Sequence, residues 1–250
     1  MSGHNKWSSI KHKKSKEDAK RGKIFTKIIR EITVAARENG GDPETNPDLR
    51  NAITKAQNAN MPKDNVERAI KKGTGELEGV NYETFIYEGY APGGVALIIE
   101  GLTDNNKRTV SEIRHILTSH NGNLAEKGAV AWNFTRVGLI MIKKDEMNED
   151  EMMMLALENG AENLDTEDDL YIVTTKSNEL HSVMEAFEEE NLDIENAQLV
   201  YQPKNTVPAN DKAAQIINII DDLEDLDDVQ DVYANFDIDD EVLEKVASDE

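Results

Sequence analysis

Hydrophobic positions follow a helical spacing in the first third of the chain. Residues 15–39 carry apolar side chains on one side of a helix and Lys and Arg side chains on the opposite side, with Val34 as the exception on the basic side. Two shorter amphipathic helices follow, one beginning at Pro47 and the other at Pro62. The pattern therefore predicts a bundle of three helices in residues 15–78.

The hydrophobic spacing shortens after this bundle and indicates strands. Apolar runs at 85–87 and 95–99 predict two strands joined by a glycine-rich loop at 89–94, and a helix follows at 109–119. Residues 131–203 then carry patterns in the order strand, helix, strand, strand, helix, strand. This βαββαβ order is typical of a ferredoxin-like domain.

The end of the chain supplies one more helix, at 213–223, and a strand at 232–238. Both are left over once the ferredoxin-like unit is complete, and residues 82–130 hold too few elements for a stable layer. We therefore expect these two parts to form one domain. The sequence predicts a multidomain α+β protein with a flexible basic arm (1–14), a three-helix bundle domain (15–78), a discontinuous α+β domain (79–130 plus 205–250) and an inserted ferredoxin-like domain (131–204).

Charge is divided unevenly along this chain. The net charge is −22 overall, but residues 1–75 contain 17 Lys and Arg residues and only 9 Asp and Glu residues. The remaining residues, 76–250, contain 11 Lys and Arg residues and 41 Asp and Glu residues. A basic end on an acidic body indicates a protein that binds a polyanion through one segment, because the acidic surface repels phosphate.

The candidate contacts lie in the arm and the first helix. Cations there can neutralise phosphates and release counterions, while Trp7 can either stack on an unpaired base or pack on the bundle. Such contacts position a protein on the backbone without reading the base sequence. The predicted nucleic-acid-binding residues are Lys6, Trp7, Lys11, His12, Lys13, Lys14, Lys20, Arg21, Lys23, Lys27 and Arg30.

A polar loop between a predicted strand and a predicted helix is the second candidate. It spans residues 104–108, and its Asn105, Lys107 and Arg108 could contact phosphate or a partner. The alternative is a simple turn that caps the helix which follows.

Patterns for catalysis and metal binding are weak. The chain has no cysteine, and His115 and His120 are five residues apart, which places them on different faces of a helix. The acidic run at 221–228 lacks the glycine of a calcium loop. We expect no catalytic residue, no metal site, no cofactor and no small-molecule substrate. A metal-dependent hydrolase is the remote alternative.

Apolar runs are too short to span a membrane, and the first residues lack the apolar core of a signal peptide. We therefore expect a cytoplasmic protein without membrane contact, and a monomer.

Several motifs resemble those of the YebC family. The segments 3–14 and 18–27 are similar to the opening of that family's sequences. The other matching motifs are Asn60-Met61-Pro62-Lys63-Asp64-Asn65-Val66, Tyr87-Glu88-Gly89-Tyr90, Pro92-Gly93-Gly94-Val95, Thr103-Asp104-Asn105, Arg108-Thr109 and Val130-Ala131-Trp132. The resemblance extends over the whole chain.

This resemblance implies a helical bundle and two α+β domains, one of them ferredoxin-like and inserted into the other. It also implies a regulator of gene expression without known catalysis. The family is described as probable transcriptional regulators that bind DNA. Its mitochondrial relatives are translational activators, and bacterial members are implicated at the ribosome in easing elongation at proline runs.

Two nucleic-acid targets therefore stay open. One is ribosomal or transfer RNA on the ribosome, with the arm lying between phosphates and the acidic body facing outward. The other is promoter DNA, which the family's usual description favours. Electrostatics favours the RNA target, because an acidic body resists lying along a duplex.

Overall fold

The computed structural model describes residues 21–144, 147–167 and 169–248, which form two compact units. The smaller unit spans residues 133–204, and the larger unit contains the described residues on either side of it. The smaller unit thus interrupts the larger one in sequence, as an inserted domain does. The predicted boundaries, including that between the bundle and the discontinuous domain, stay predictions.

Helices and strands alternate along the described residues as follows. The helices are α1 (Arg21–Asn39), α2 (Pro47–Asn58), α3 (Lys63–Gly73), α4 (Asn106–Ser119), α5 (Glu149–Glu158), α6 (Leu180–Glu189), α7 (Ala213–Glu224) and α8 (Asp240–Ser248). The strands are β1 (Glu83–Ala91), β2 (Val95–Thr103), β3 (Asn123–Ala125), β4 (Phe134–Lys143), β5 (Ala161–Thr166), β6 (Leu170–Lys176), β7 (Ile194–Pro203), β8 (Val207–Pro208), β9 (Val229–Ala234) and β10 (Phe236–Asp237).

Helices α1, α2 and α3 pack around a small apolar core, as the sequence predicts. Ile32, Leu49 and Ala56 are fully buried in it. The side chain of Asn46 caps α2 by accepting a hydrogen bond from the backbone N–H of Leu49 and also donates to the carbonyl of Ala35 in α1. One buried amide therefore both begins α2 and fixes it against α1. The predicted start of α1 near residue 15 lies outside the described residues.

A four-stranded antiparallel sheet forms the centre of the larger unit. Its strand order is β3-β1-β2-β9, so the segment after the insertion supplies an edge strand beside β2. Helices α4, α7 and α8 contribute Ile113, Ile217 and Leu243 to the core on one face. The expected pairing of residues 82–130 with the end of the chain is therefore present.

The structure corrects three details of the predicted strands. Strand β1 continues to Ala91, so the predicted loop at 89–94 shrinks to a turn at Pro92–Gly94 in which Gly93 and Gly94 have positive φ. The predicted strand at 131–142 begins only at Phe134, because Ala131–Asn133 forms a 3-10 turn. Strand β3 and helix α8 are not predicted from the sequence.

The smaller unit is the expected ferredoxin-like fold. Its sheet has the order β5-β6-β4-β7 with antiparallel neighbours, and the elements follow the βαββαβ order. Ile140, Val173 and Phe187 are fully buried between this sheet and helices α5 and α6. The alternating apolar positions that predict these strands are therefore the positions that face the core.

Candidate nucleic-acid interface

The predicted interface falls partly outside the described residues. Lys6, Trp7, Lys11, His12, Lys13, Lys14 and Lys20 lie there, and the side chain of Arg21 is also not described. Lys23, Lys27 and Arg30 remain, spaced along the basic side of α1. The structure therefore locates the helical end of the predicted interface.

Each of these three cations contacts the acidic segment at the end of α7 and the start of β9. Lys23 Nζ lies 3.0 Å from a carboxylate oxygen of Asp225, and both side chains are about half exposed. Lys27 Nζ donates hydrogen bonds to the backbone carbonyls of Glu224, at 2.8 Å, and Gln230, at 3.5 Å. Arg30 reaches furthest inward, and only 11 % of its side chain is exposed.

Arg30 is held in place by groups from three directions. Its Nη1 donates to the carbonyl of Leu102 at 2.9 Å and to a carboxylate oxygen of Asp228. Its guanidinium carbon also lies over the ring of Tyr82, 5.1 Å from the centroid. A guanidinium fixed in this way is part of the fold and has little freedom to follow a phosphate.

The Asp228 carboxylate is the centre of this contact. It is 3 % exposed and accepts hydrogen bonds from Arg108 Nη2 at 2.6 Å and from the hydroxyls of Thr103 and Thr109. Burial by itself raises the pKa of Asp228, but the hydrogen bonds from Thr109, Arg108 and Arg30 outweigh it, so the pKa lies below its ordinary value. The same contact raises the pKa of Arg108. The cluster is therefore a fully ionised, hydrogen-bonded link between α1, α4 and β9.

The expectation that the basic side of α1 is exposed is wrong for Arg30, and Lys27 is part-buried as well. The reason is that this side of α1 packs toward β2 and β9 through the contacts with Leu102 and Gln230. Val34, the apolar exception on the basic side, is 8 % exposed and lies outside the core of the bundle. That exception was the sequence signal that α1 has a second buried side.

The polar loop at 104–108 begins α4, which confirms the capping alternative. The side chain of Asn105 accepts a hydrogen bond from the backbone N–H of Arg108, and Arg108 bridges Asp104 and Asp228. Lys107 is exposed. Of the predicted second contacts, Lys107 is therefore well placed to contact a ligand, while Asn105 and Arg108 have structural partners.

Further exposed cations lie at the end of α3, namely Arg68, Lys71 and Lys72. They are separated from the start of α1, because a Cβ on Gly73 would lie 2.4 Å from the backbone oxygen of Thr33. At 1.5 Å per residue, Thr33 is roughly 18 Å along α1 from Arg21. These three cations form a second basic group, which we call the α3 group.

A rigid loop with an exposed indole is a feature that the sequence did not reveal. Glu88 in β1 is 5 % exposed, and its carboxylate accepts hydrogen bonds from the backbone N–H groups of Gly128 (2.6 Å), Val130 (2.7 Å) and Ala131 (2.9 Å). Trp132 follows directly and is 66 % exposed. A buried carboxylate thus shapes a loop that presents an aromatic ring to solvent.

Metal and membrane criteria were applied to the described residues. Within them, no group of three or more His, Asp or Glu side chains is arranged to hold a metal ion. None of the helices in the same residues is both long and apolar enough to cross a membrane. The cytoplasmic location and the monomeric state stay predictions.

Two family models match the chain. Residues 5–76 match the N-terminal domain of TACO1/YebC proteins, and residues 82–236 match the second and third domains of the same proteins. The chain belongs to the TACO1/YebC family. This assignment confirms the resemblance and agrees with the helical and α+β regions of the structure.

Relatives in the family carry a common description. The chain is 53 % identical over 253 residues to a protein of Halothermothrix orenii, with all of both chains covered. It is 54 % identical over 250 residues to a protein of Persephonella marina, covering 99 % of this chain and 100 % of that one. Both are named "Probable transcriptional regulatory protein".

A solved structure shares the fold. The crystal structure of a conserved hypothetical protein, Aq1575, from Aquifex aeolicus is 48 % identical in sequence to this chain and superimposes with a TM-score of 0.83. The match covers 89 % of this chain and 93 % of that chain.

Proposed function

We propose that this protein regulates gene expression by binding nucleic acid through its basic N-terminal segment, without catalytic chemistry. The observation that carries the proposal is the division of charge, with 17 Lys and Arg residues against 9 Asp and Glu residues in 1–75 and 11 against 41 in the rest. The names of the relatives, probable transcriptional regulatory proteins, support a role in gene expression.

The contacts made by α1 divide its cations into two roles. Lys27 and Arg30 anchor α1 to the sheet of the larger unit, while Lys23 forms a half-exposed ion pair that solvent and salt weaken. We therefore assign phosphate binding to the cations up to Lys23, with the α3 group as a further contact. The anchored helix gives the basic arm a fixed point of attachment.

The proposed target is RNA on the ribosome. The acidic body repels phosphate, so long contacts along a duplex are disfavoured, whereas an arm alone can enter a groove between RNA phosphates. Easing elongation at proline runs, which the family resemblance implies, is part of this proposal.

Regulation through duplex DNA is the second candidate, and the names of the relatives favour it. The two candidates differ in what the arm binds and make opposite predictions for a competition experiment.

Filter binding of labelled ribosomal RNA in competition with unlabelled duplex DNA, at about 150 mM salt, tests the choice of target. We expect ribosomal RNA or intact ribosomes to compete strongly and random duplex DNA to compete weakly. Tight, sequence-selective binding to a duplex would establish the DNA candidate in place of the RNA candidate. Weak binding to both polymers would contradict the proposed function as a whole.

A further inference from the structure

The exposed indole of Trp132 is held in one place by an unusual number of contacts. Its Nε1–H donates to the carbonyl of Ala129 at 2.9 Å, and the hydroxyl of Tyr90 donates to the same carbonyl at 3.2 Å. Glu88 fixes the backbone on both sides of Ala129 through Gly128 and Val130. An aromatic ring fixed before binding loses little conformational entropy when a ligand stacks on it.

Exposure of so large an apolar side chain runs against burial. Trp132 is 66 % exposed, more than any other large hydrophobic residue among those the structure describes. Burying a tryptophan normally contributes substantially to stability, so the loop forgoes that contribution and presents the ring to solvent. The indole is therefore suited to an external ligand with a flat or apolar face.

The charge around Trp132 in the sequence indicates which ligand this is. Residues 113–144 carry five Lys and Arg residues and a single acidic residue, Glu126, whereas residues 76–250 as a whole carry 11 and 41. Lys127, in the Glu88 loop itself, is exposed and lies close enough to Glu88 to help lower its pKa, although burial alone raises that pKa. This stretch of the acidic body accepts a polyanion, while a basic protein segment finds less favourable charge here.

We propose that Trp132 is a stacking platform for an unpaired base of single-stranded RNA, with Lys127 contacting a neighbouring phosphate. Aromatic side chains bind bases of any sequence in this way, since every base has a flat face. The inference rests on the proposed function and adds a base-binding site outside the basic N-terminal segment.

Intrinsic fluorescence tests the stacking directly. The chain has two tryptophans, so a Trp7→Phe variant reports on Trp132 alone. We expect poly(A) RNA to quench this fluorescence strongly and the same RNA annealed to its complement to quench it weakly. Quenching that is equal for single-stranded and duplex RNA overturns the inference.

Affinity provides the second readout. Trp132→Ala is expected to raise the Kd for poly(A) about 5- to 150-fold, the range of one stacked base, while Trp132→Phe retains most of the affinity. Melting temperatures of both variants establish that they fold. An unchanged Kd in Trp132→Ala overturns the inference and leaves the proposed function standing, whereas absence of RNA binding in the unmodified protein refutes both. If Trp132→Ala loses affinity for ribosomes but not for free RNA, the indole contacts a ribosomal protein and base stacking is refuted.

Discussion

Arg30 in α1 and Asp228 before β9 form a buried ion pair between residues 198 positions apart in the sequence. The carboxylate is 3 % exposed and the arginine side chain 11 %, so water screens the pair poorly. Removing one member of such a pair leaves an uncompensated charge in the interior. The pair therefore ties the helix that follows the basic arm to the sheet of the larger unit.

Arg30→Leu is the first test of this anchor. We expect it to lower the free energy of unfolding by about 2–4 kcal/mol, because Asp228 keeps Arg108 and two threonine hydroxyls but loses a buried guanidinium. Urea denaturation measures the change. Lys23→Leu is the control, since its exposed pair with Asp225 is worth about 0–1 kcal/mol. Equal effects of the two substitutions would show that the anchor contributes nothing special.

Acid should loosen the loop that carries Trp132. The folded protein holds the pKa of Glu88 below its ordinary value, despite the opposing effect of burial, because three backbone N–H groups donate to the carboxylate. A depressed pKa stabilises the fold above the unfolded value of about 4.3, and this contribution disappears as pH falls through the folded pKa.

The stability difference between the unmodified protein and Glu88→Gln measures this contribution. We expect the unmodified protein to be more stable at neutral pH and the difference to shrink once pH falls below about 4, since only the carboxylate loses a charge. Melting temperature as a function of pH, followed for both proteins, gives the result. A difference that stays constant down to pH 3, roughly, would show that the charge of Glu88 is not what the loop uses.

Local patterns in the sequence predicted most of the elements, and they did so where burial is periodic. The apolar spacing of Leu49, Ala52 and Ala56 predicted α2, and all three are buried. Strand β3 has only three residues and α8 lies in an acidic segment, so neither gives a clear period. Failure of the pattern at these two elements is a consequence of their length and composition.

Contacts between distant residues were beyond the sequence pattern. Nothing near Arg30 indicates that Asp228 is its partner, because the contact requires the edge strand β9 to return beside β2 after the inserted unit. The same holds for Glu88 and the backbone N–H groups about forty residues later. Charge patterning predicts which residues can bind phosphate, but only the fold decides which cations are already engaged.

A glycine next to the Asp228 cluster gives a test of the packing there. A Cβ on Gly101 would lie 2.0 Å from the backbone oxygen of Asp228 and 2.7 Å from the ring of Phe85. Gly101→Ala should therefore destabilise the protein by at least about 1–3 kcal/mol in chemical denaturation, since backbone cannot move aside cheaply.

Gly22→Ala is the matched control for this substitution. It adds the same methyl group to α1, where nothing lies within 4 Å of the new Cβ. Alanine favours helix over glycine by about 1 kcal/mol, so this variant should be neutral or more stable. If both variants are equally stable, the close approach of β2 to Asp228 is not needed for the fold.

Charge reversal separates the two roles that we assign to the N-terminal cations. A quadruple variant with Lys13, Lys14, Lys20 and Lys23 changed to Glu should abolish RNA binding and leave the melting temperature nearly unchanged. These residues are assigned to phosphate, and the only partner described for Lys23 is an exposed carboxylate. Arg30→Leu should do the reverse, lowering stability while the slope of log Kd against log salt stays the same.

Filter binding over a salt series, with melting curves of the same preparations, measures both effects. Reversal of the α3 group, Arg68, Lys71 and Lys72, is an informative intermediate, because these exposed residues lie roughly 18 Å along α1 from Arg21. We expect that variant to reduce the salt slope by up to about three phosphate contacts without abolishing binding. Full binding by the quadruple variant would contradict the assignment of phosphate contacts to the basic N-terminal segment, and with it the role of charge division in this protein.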